Sequence, residues 1–239
     1  QSNLSLAQVS NFNIPLPSQL EQQKIVDFFG SVYEWIKNLK EQQENLESYK
    51  KGMMQKIFSQ EVCFRDEKGK EFPKWEEKKL GKICDYKNGG AFENNLVESG
   101  KYNLITLNSL DINGKLKNYH KTVGTADWYL NKGDLVMVLS DVAHGNFLGL
   151  VDIIPEYDRY VLNQRMGLLR KIDNSVDLNF LRIYINFKQK YFKLHGQGSS
   201  QQNLSKGDVL KFKVLMPKLS EQQKIADFLV SIDKLLESK

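Results

Sequence analysis

Glu21-Gln22-Gln23-Lys24-Ile25-Val26-Asp27-Phe28 returns two hundred residues later as Glu221-Gln222-Gln223-Lys224-Ile225-Ala226-Asp227-Phe228, with seven of eight positions identical. Outward from this block the match runs without a gap over 1–38 and 201–238. Gln1-Ser2-Asn3-Leu4-Ser5 pairs with Gln201-Gln202-Asn203-Leu204-Ser205, and Phe12-Asn13-Ile14-Pro15-Leu16-Pro17 pairs with Phe212-Lys213-Val214-Leu215-Met216-Pro217. Solenoid repeats recur every ~20–50 residues, so an interval this long means that the unit is a whole domain plus a connecting element. The 239-residue chain spans one interval with both flanks, a piece cut from a two-unit architecture. On this reading 1–19 is the end of a preceding repeat unit, and 206–239 begins a second conserved region with a truncated helix.

Both copies carry the same local logic. A strand-like run ends at Pro17 or Pro217, a serine follows at Ser18 or Ser220, and apolar residues then recur at helical spacing, which marks a helix start. In the first copy Ile25, Val32, Leu39, Leu46 and Met53 fall seven apart, with Phe28 and Trp35 on the adjoining positions. That heptad seam predicts a coiled-coil helix over 20–58, about 58 Å long at 1.5 Å per residue, a spacer longer than a small domain is wide. Gln42 and Gln43 interrupt the seam, as register-setting polar residues do. Its natural partner is another such helix, from the other half of a longer chain or from a second copy in a homodimer.

After a linker at 59–74 the pattern changes. Strand-like runs at 102–107, 134–139, 148–154 and 160–170, punctuated by Gly and Asn/Asp, precede an amphipathic helix over 177–194, so 75–205 reads as an α+β domain. Its loops are rich in amides, hydroxyls and cations: Lys87-Asn88-Gly89-Gly90, Ser140-Asp141-Val142-Ala143-His144-Gly145-Asn146, Asn163-Gln164-Arg165, and Gln197-Gly198-Ser199-Ser200-Gln201-Gln202-Asn203. These side chains pair with base edges and phosphates, and glycine admits close backbone approach. Asn163, Gln164, Arg165, Ser140, Asp141, His144 and Asn146 are therefore candidates for base contact. Lys87, Ser199, Ser200, Gln201 and Gln202 are candidates for positioning the nucleic-acid backbone, and Asn88 is a further candidate for DNA contact. Ordinary turn chemistry explains any one of these loops equally well.

Charge agrees with an anionic partner without requiring one. The chain carries 34 Lys+Arg against 29 Asp+Glu, a net charge of +5. The long helix is balanced at six and six, whereas 75–203 holds 17 basic and 14 acidic residues. The longest apolar run, 135–139, is the length of a strand and excludes a membrane anchor within this sequence. Cys63 and Cys84 form no disulfide framework, which fits a reducing, cytoplasmic setting. His120, His144 and His195 have no metal-ligand spacing, and no phosphate-binding glycine loop occurs. Glu76-Glu77-Lys78 with Asp66 upstream has a loose nuclease-like spacing, but in so charged a stretch it reads as solvated surface.

The paired Gln-x-Asn-Leu-Ser and Pro-x-x-x-Glu-Gln-Gln-Lys-Ile blocks, with the domain opening Phe72-Pro73-Lys74-Trp75-Glu76-Glu77-Lys78-Lys79-Leu80-Gly81, resemble the DNA-specificity subunit of type I restriction-modification systems. The resemblance spans essentially the whole chain. It implies a target recognition domain flanked by conserved coiled-coil helices, reading half of a bipartite site in double-stranded DNA. It also implies no catalytic residues, no bound metal and no cofactor of its own, with S-adenosylmethionine on methyltransferase subunits and ATP on restriction (motor) subunits. A reading from a different class is an assembly protein whose coiled coil gathers partners and whose central domain binds protein.

Overall fold

The computed structural model describes residues 5–118, 121–142 and 145–238. Helices are α1 (Leu6–Ser10), α2 (Gln19–Phe58), α3 (Leu80–Ile83), α4 (Leu178–Phe187), α5 (Gln189–His195), α6 (Lys206–Leu210) and α7 (Leu219–Glu237). Strands are β1 (Glu76–Lys79), β2 (Cys84–Asn88), β3 (Leu96–Val97), β4 (Tyr102–Ile105), β5 (Lys121–Val123) and β6 (Leu135–Val138), then β7 (Ser140–Val142), β8 (Val151–Ile153), β9 (Tyr160–Leu162), β10 (Met166–Lys171), β11 (Gln201–Asn203) and β12 (Lys213–Met216). The chain divides into two compact units, one comprising Gln1–Lys51 with Lys234–Lys239 and the other Gly52–Asp233.

The first unit is helical. Ser5 and Gln8 form a reciprocal capping box at the start of α1. Ser18 accepts from the Glu21 amide at the start of α2. From there α2 runs unbroken to Phe58, as the heptad spacing predicts. Ile25, Phe28 and Trp35 are exposed on it, and Val32, Leu39, Leu46 and Met53 are half-buried.

The second unit is mixed α and β. Its central sheet has the order β2-β10-β6-β8, and a second sheet the order β3-β5-β4-β9, in which only β4 and β9 run parallel. All four residues of β6 are fully buried, which explains why that strand is a continuous apolar run without alternation. α4 packs on the edge strand β8 through an amide clamp, with Asn186 Oδ1 accepting from the Val151 amide and its Nδ2 donating to the Val151 carbonyl, both at 2.9 Å. The end of α2 enters the same core: Phe58 sits 4.8 Å from Phe187, 5.2 Å from Tyr184 and 6.1 Å from Phe180, ring centre to ring centre. Cys84 is buried, which pushes its thiol up to about 12, and Cys63 is exposed.

Several sequence expectations change in detail. The 160–170 run is two strands in different sheets, because 163–166 makes a tight turn closed by the Met166 amide on the Asn163 carbonyl. The 148–154 run keeps only β8, since Gly149 has φ +80 and any Cβ there would lie 2.4 Å from that of Phe192. The 177–194 helix breaks at Lys188 into α4 and α5. The compact unit is also wider than 75–205: residues of 59–74 fold within it, and β1 pairs antiparallel with β12 from the conserved region that follows.

Candidate nucleic-acid interface

Four of the polar loops, far apart in sequence, are stitched together by backbone hydrogen bonds. The Gly89 amide donates to the Met166 carbonyl and the Gly90 amide to Leu162, fastening the first loop to the turn at 163–166. Gly89 has no alternative, since a Cβ there would lie 1.9 Å from the Asn163 carbonyl oxygen. The Leu139 amide donates to the Arg165 carbonyl and the Leu204 amide to Leu139, which ties the same turn to β7 and to the chain after β11. β11 completes the circuit by pairing antiparallel with β7, with Gln202 opposite Asp141.

The result is an open cleft of about 420 Å3 lined by Tyr86, Asn88, Ser140, Gln164, Arg165, Gln201, Asn203 and Lys206, among others. The charged groups on its wall are Arg165 and Lys206, both positive. Tyr86 lies under Lys206, whose ammonium is 5.9 Å from the ring centre. Burial pushes the Tyr86 phenol up to about 12, and its hydroxyl donates to Asn88 Oδ1 at 2.5 Å. The Asn88 amide nitrogen has no partner among the described residues. The cleft is cationic and rich in donors, which suits the acceptor-rich edges and phosphates of a nucleic acid.

The other sequence candidates take distinct positions. Ser140, Asp141 and Asn163 are 4%, 4% and 2% exposed, and their polar groups are engaged within the fold. Ser140 Oγ accepts from Gln201 Nε2 at 2.5 Å. The two Asp141 carboxylate oxygens accept from the Val142 and Phe147 amides, each at 2.8 Å. Asn163 accepts from the Arg165 amide and donates to Glu93. Asn146 is exposed and accepts from Lys193 at 3.0 Å. Lys87 points to the opposite face of β2 from Tyr86 and Asn88, and its ammonium stands 3.9 Å over the Trp128 ring. Ser199 and Ser200 are exposed on a turn that needs Gly198 at φ +118, and Gln202 is half-buried on β11. His144 lies outside the described residues. Tyr86 and Lys206 went unread in the sequence, and Asn203 was read only as the end of a polar loop. The signal for Tyr86 is its period-two relation to Asn88, and for Lys206 its place beside the repeated Ser205 cap.

The model of the type I restriction-modification DNA specificity domain matches residues 1–48 and 73–239. The chain belongs to that family. Among curated proteins it is 30% identical to the type I restriction enzyme MjaVIII specificity subunit of Methanocaldococcus jannaschii, over 96% of this chain and 57% of that one. It is 25% identical to the putative MjaX specificity subunit of the same organism, over all of this chain and 56% of that one. The chain thus spans a little over half the length of these specificity subunits. Among solved structures, one described as the structural basis of complex assembly and conformational transition of the type I restriction-modification system aligns over 100% of this chain and 58% of its own, with TM-score 0.66 and 17% identity. The HsdS subunit from Thermoanaerobacter tengcongensis aligns over 99% of this chain and 56% of its own, with TM-score 0.59 and 17% identity. These likenesses confirm the α+β fold flanked by long helices.

Proposed function

We propose that this chain is a sequence-reading part of a type I restriction-modification specificity subunit, with the Gly52–Asp233 unit contacting duplex DNA through the cleft at Arg165, Gln164, Asn88 and Lys206. The observation that carries this reading is the convergence of four sequence-distant polar loops on one cleft whose charged wall groups are both cations. The residues assembled there supply recognition and no bond-making chemistry. On this proposal the methylation and cleavage activities, with S-adenosylmethionine and ATP, reside on methyltransferase and restriction subunits, and the complex works in the cytoplasm. No described helix is long and apolar enough to cross a membrane. The exposed apolar residues of α2 support its role as a helix-pairing spacer. A partner helix at fixed distance would set the gap of a bipartite site, and a homodimer would make that site symmetric.

Titrating a fluorescent duplex with the full chain at rising salt tests the reading against a protein-binding domain. Phosphate contact predicts that log affinity falls against log salt with a slope of about −0.9 per contact. Salt-independent binding, or none, would favour the assembly protein.

A further inference from the structure

The cleft residues divide into side chains that are used up and side chains that are held out. Ser140, Asp141 and Asn163 are buried with their hydrogen-bonding groups engaged inside the fold. Gln164 and Arg165 are the two central residues of the turn closed by the Met166 amide on Asn163, and both are exposed. That turn is clamped on every side. The Asn163 amide donates to Ile105, Asn163 Oδ1 accepts from the Arg165 amide at 3.2 Å, the Arg165 carbonyl accepts from Leu139, and Gly89 and Gly90 press against its back. The Arg165 guanidinium has no hydrogen-bond or ion-pair partner among the described residues, and no carboxylate lines its cleft. The clamped turn fixes where the side chain starts, and a planar five-donor fork loses less rotamer freedom per hydrogen bond formed than an ammonium does, so its orientation can discriminate. Its neighbours in the cleft are amides, which read base edges, whereas the other cation, Lys206, is a compact charge suited to phosphate.

We propose that Arg165 is the specificity-determining residue of this domain and takes a guanine by its O6 and N7 edge in the major groove, with Asp141 and Asn163 as positioning residues that hold the turn and its neighbouring loop. This rests on the DNA-reading function proposed above. Guanine is the base that offers two adjacent acceptors to a guanidinium fork. Arg165 is exposed and its guanidinium has no partner among the described residues, so its replacement spares the fold.

The test is selection of bound duplexes from random DNA by the full chain, followed by affinities for the selected sequence. Wild type should enrich a motif containing an essential guanine. Arg165→Ala should lose preference at that position alone and bind the selected duplex on the order of 10- to 100-fold more weakly. Arg165→Gln should move the preference toward adenine. Replacing the guanine by 7-deazaguanine, which removes N7 and keeps the base pair, should weaken wild type and leave Arg165→Ala unchanged. A uniform loss across all sequences in Arg165→Ala, with the motif intact, would make Arg165 a phosphate contact and overturn the inference while leaving the DNA-reading function standing. Failure of wild type to enrich any sequence would overturn both.

Discussion

The two copies of the repeat share seven of eight residues over 21–28 and 221–228 and match without a gap around them, yet their surroundings are opposite. In both, serine makes the same capping box, Ser5 with Gln8 and Ser205 with Asp208. In both, a glutamine side chain reaches back to a proline carbonyl at 2.8 Å, Gln22 to Pro17 and Gln222 to Pro217. Yet Ile25 is 42% exposed and Ile225 is fully buried, and Phe12, Ile14 and Leu16 are exposed where Phe212, Val214 and Met216 lie in the core. The second copy forms a strand, β12, because β1 is there to pair with it, while the aligned stretch of the first copy forms none. Local sequence determines caps and helix. Burial and strand formation depend on what the rest of the chain brings alongside.

The largest test of this contrast lies in the aliphatic positions. Ile225→Ala should destabilise the chain by about 2–5 kcal/mol in urea unfolding, because it opens a cavity in a filled core. In the unpaired single chain Ile25→Ala should cost less than about 0.5 kcal/mol, as exposed substitutions do. Equal losses would mean that the first copy is buried as well.

The glutamines give a second, smaller contrast. Gln222 accepts from the Asp177 amide at 2.8 Å and donates to the Ser175 carbonyl at 2.9 Å, so Gln222→Ala should leave these partly buried groups and the buried Pro217 carbonyl unpaired at about 1–3 kcal/mol. Gln22→Ala removes one partly exposed bond and should cost about 1 kcal/mol or less. Similar losses from the two replacements would erase the contrast.

The glutamate of the second copy extends it to pH. Glu221 is buried, its Oε2 has no hydrogen-bond partner among the described residues, and the Trp75 indole lies near enough to favour the carboxylate. Burial raises its carboxyl above the ordinary carboxylate range, partly offset by that indole. A group whose folded value is raised binds its proton more tightly when folded, so stability falls as pH climbs from the ordinary value to the raised one and is flat above it. Relative to wild type, Glu221→Gln should therefore gain stability at neutral pH, and the gain should shrink as pH falls through that window. A pH-independent difference for Glu221→Gln would contradict the buried carboxyl.

The parts of this molecule legible in its sequence are those determined by short-range chemistry. The 20–58 helix is carried by its heptads, the polar loops by their amides and glycines, and the repeat by direct comparison. What could not be read depends on tertiary partners. Asp141 and Asn163 look like contact residues in a string of polar side chains, and only the fold turns them inward onto backbone amides. Tyr86 and Lys206 join the cleft because β2 and the start of α6 are brought together across more than a hundred residues of chain. Arg165 was legible as a residue type. Its presentation on a clamped turn was not, since the run 160–170 reads as one strand until the Met166 amide is seen to close on Asn163.

The central claim is that the four-loop cleft reads DNA sequence. It is tested most directly by combining the chain with its cognate methyltransferase subunit and S-adenosylmethionine, methylating random-sequence DNA, and sequencing the modified positions for wild type and Arg165→Ala. The account predicts a bipartite motif with a fixed gap for wild type, altered in Arg165→Ala at the position that residue reads. Methylation without a motif, or the same motif from both proteins, would contradict it.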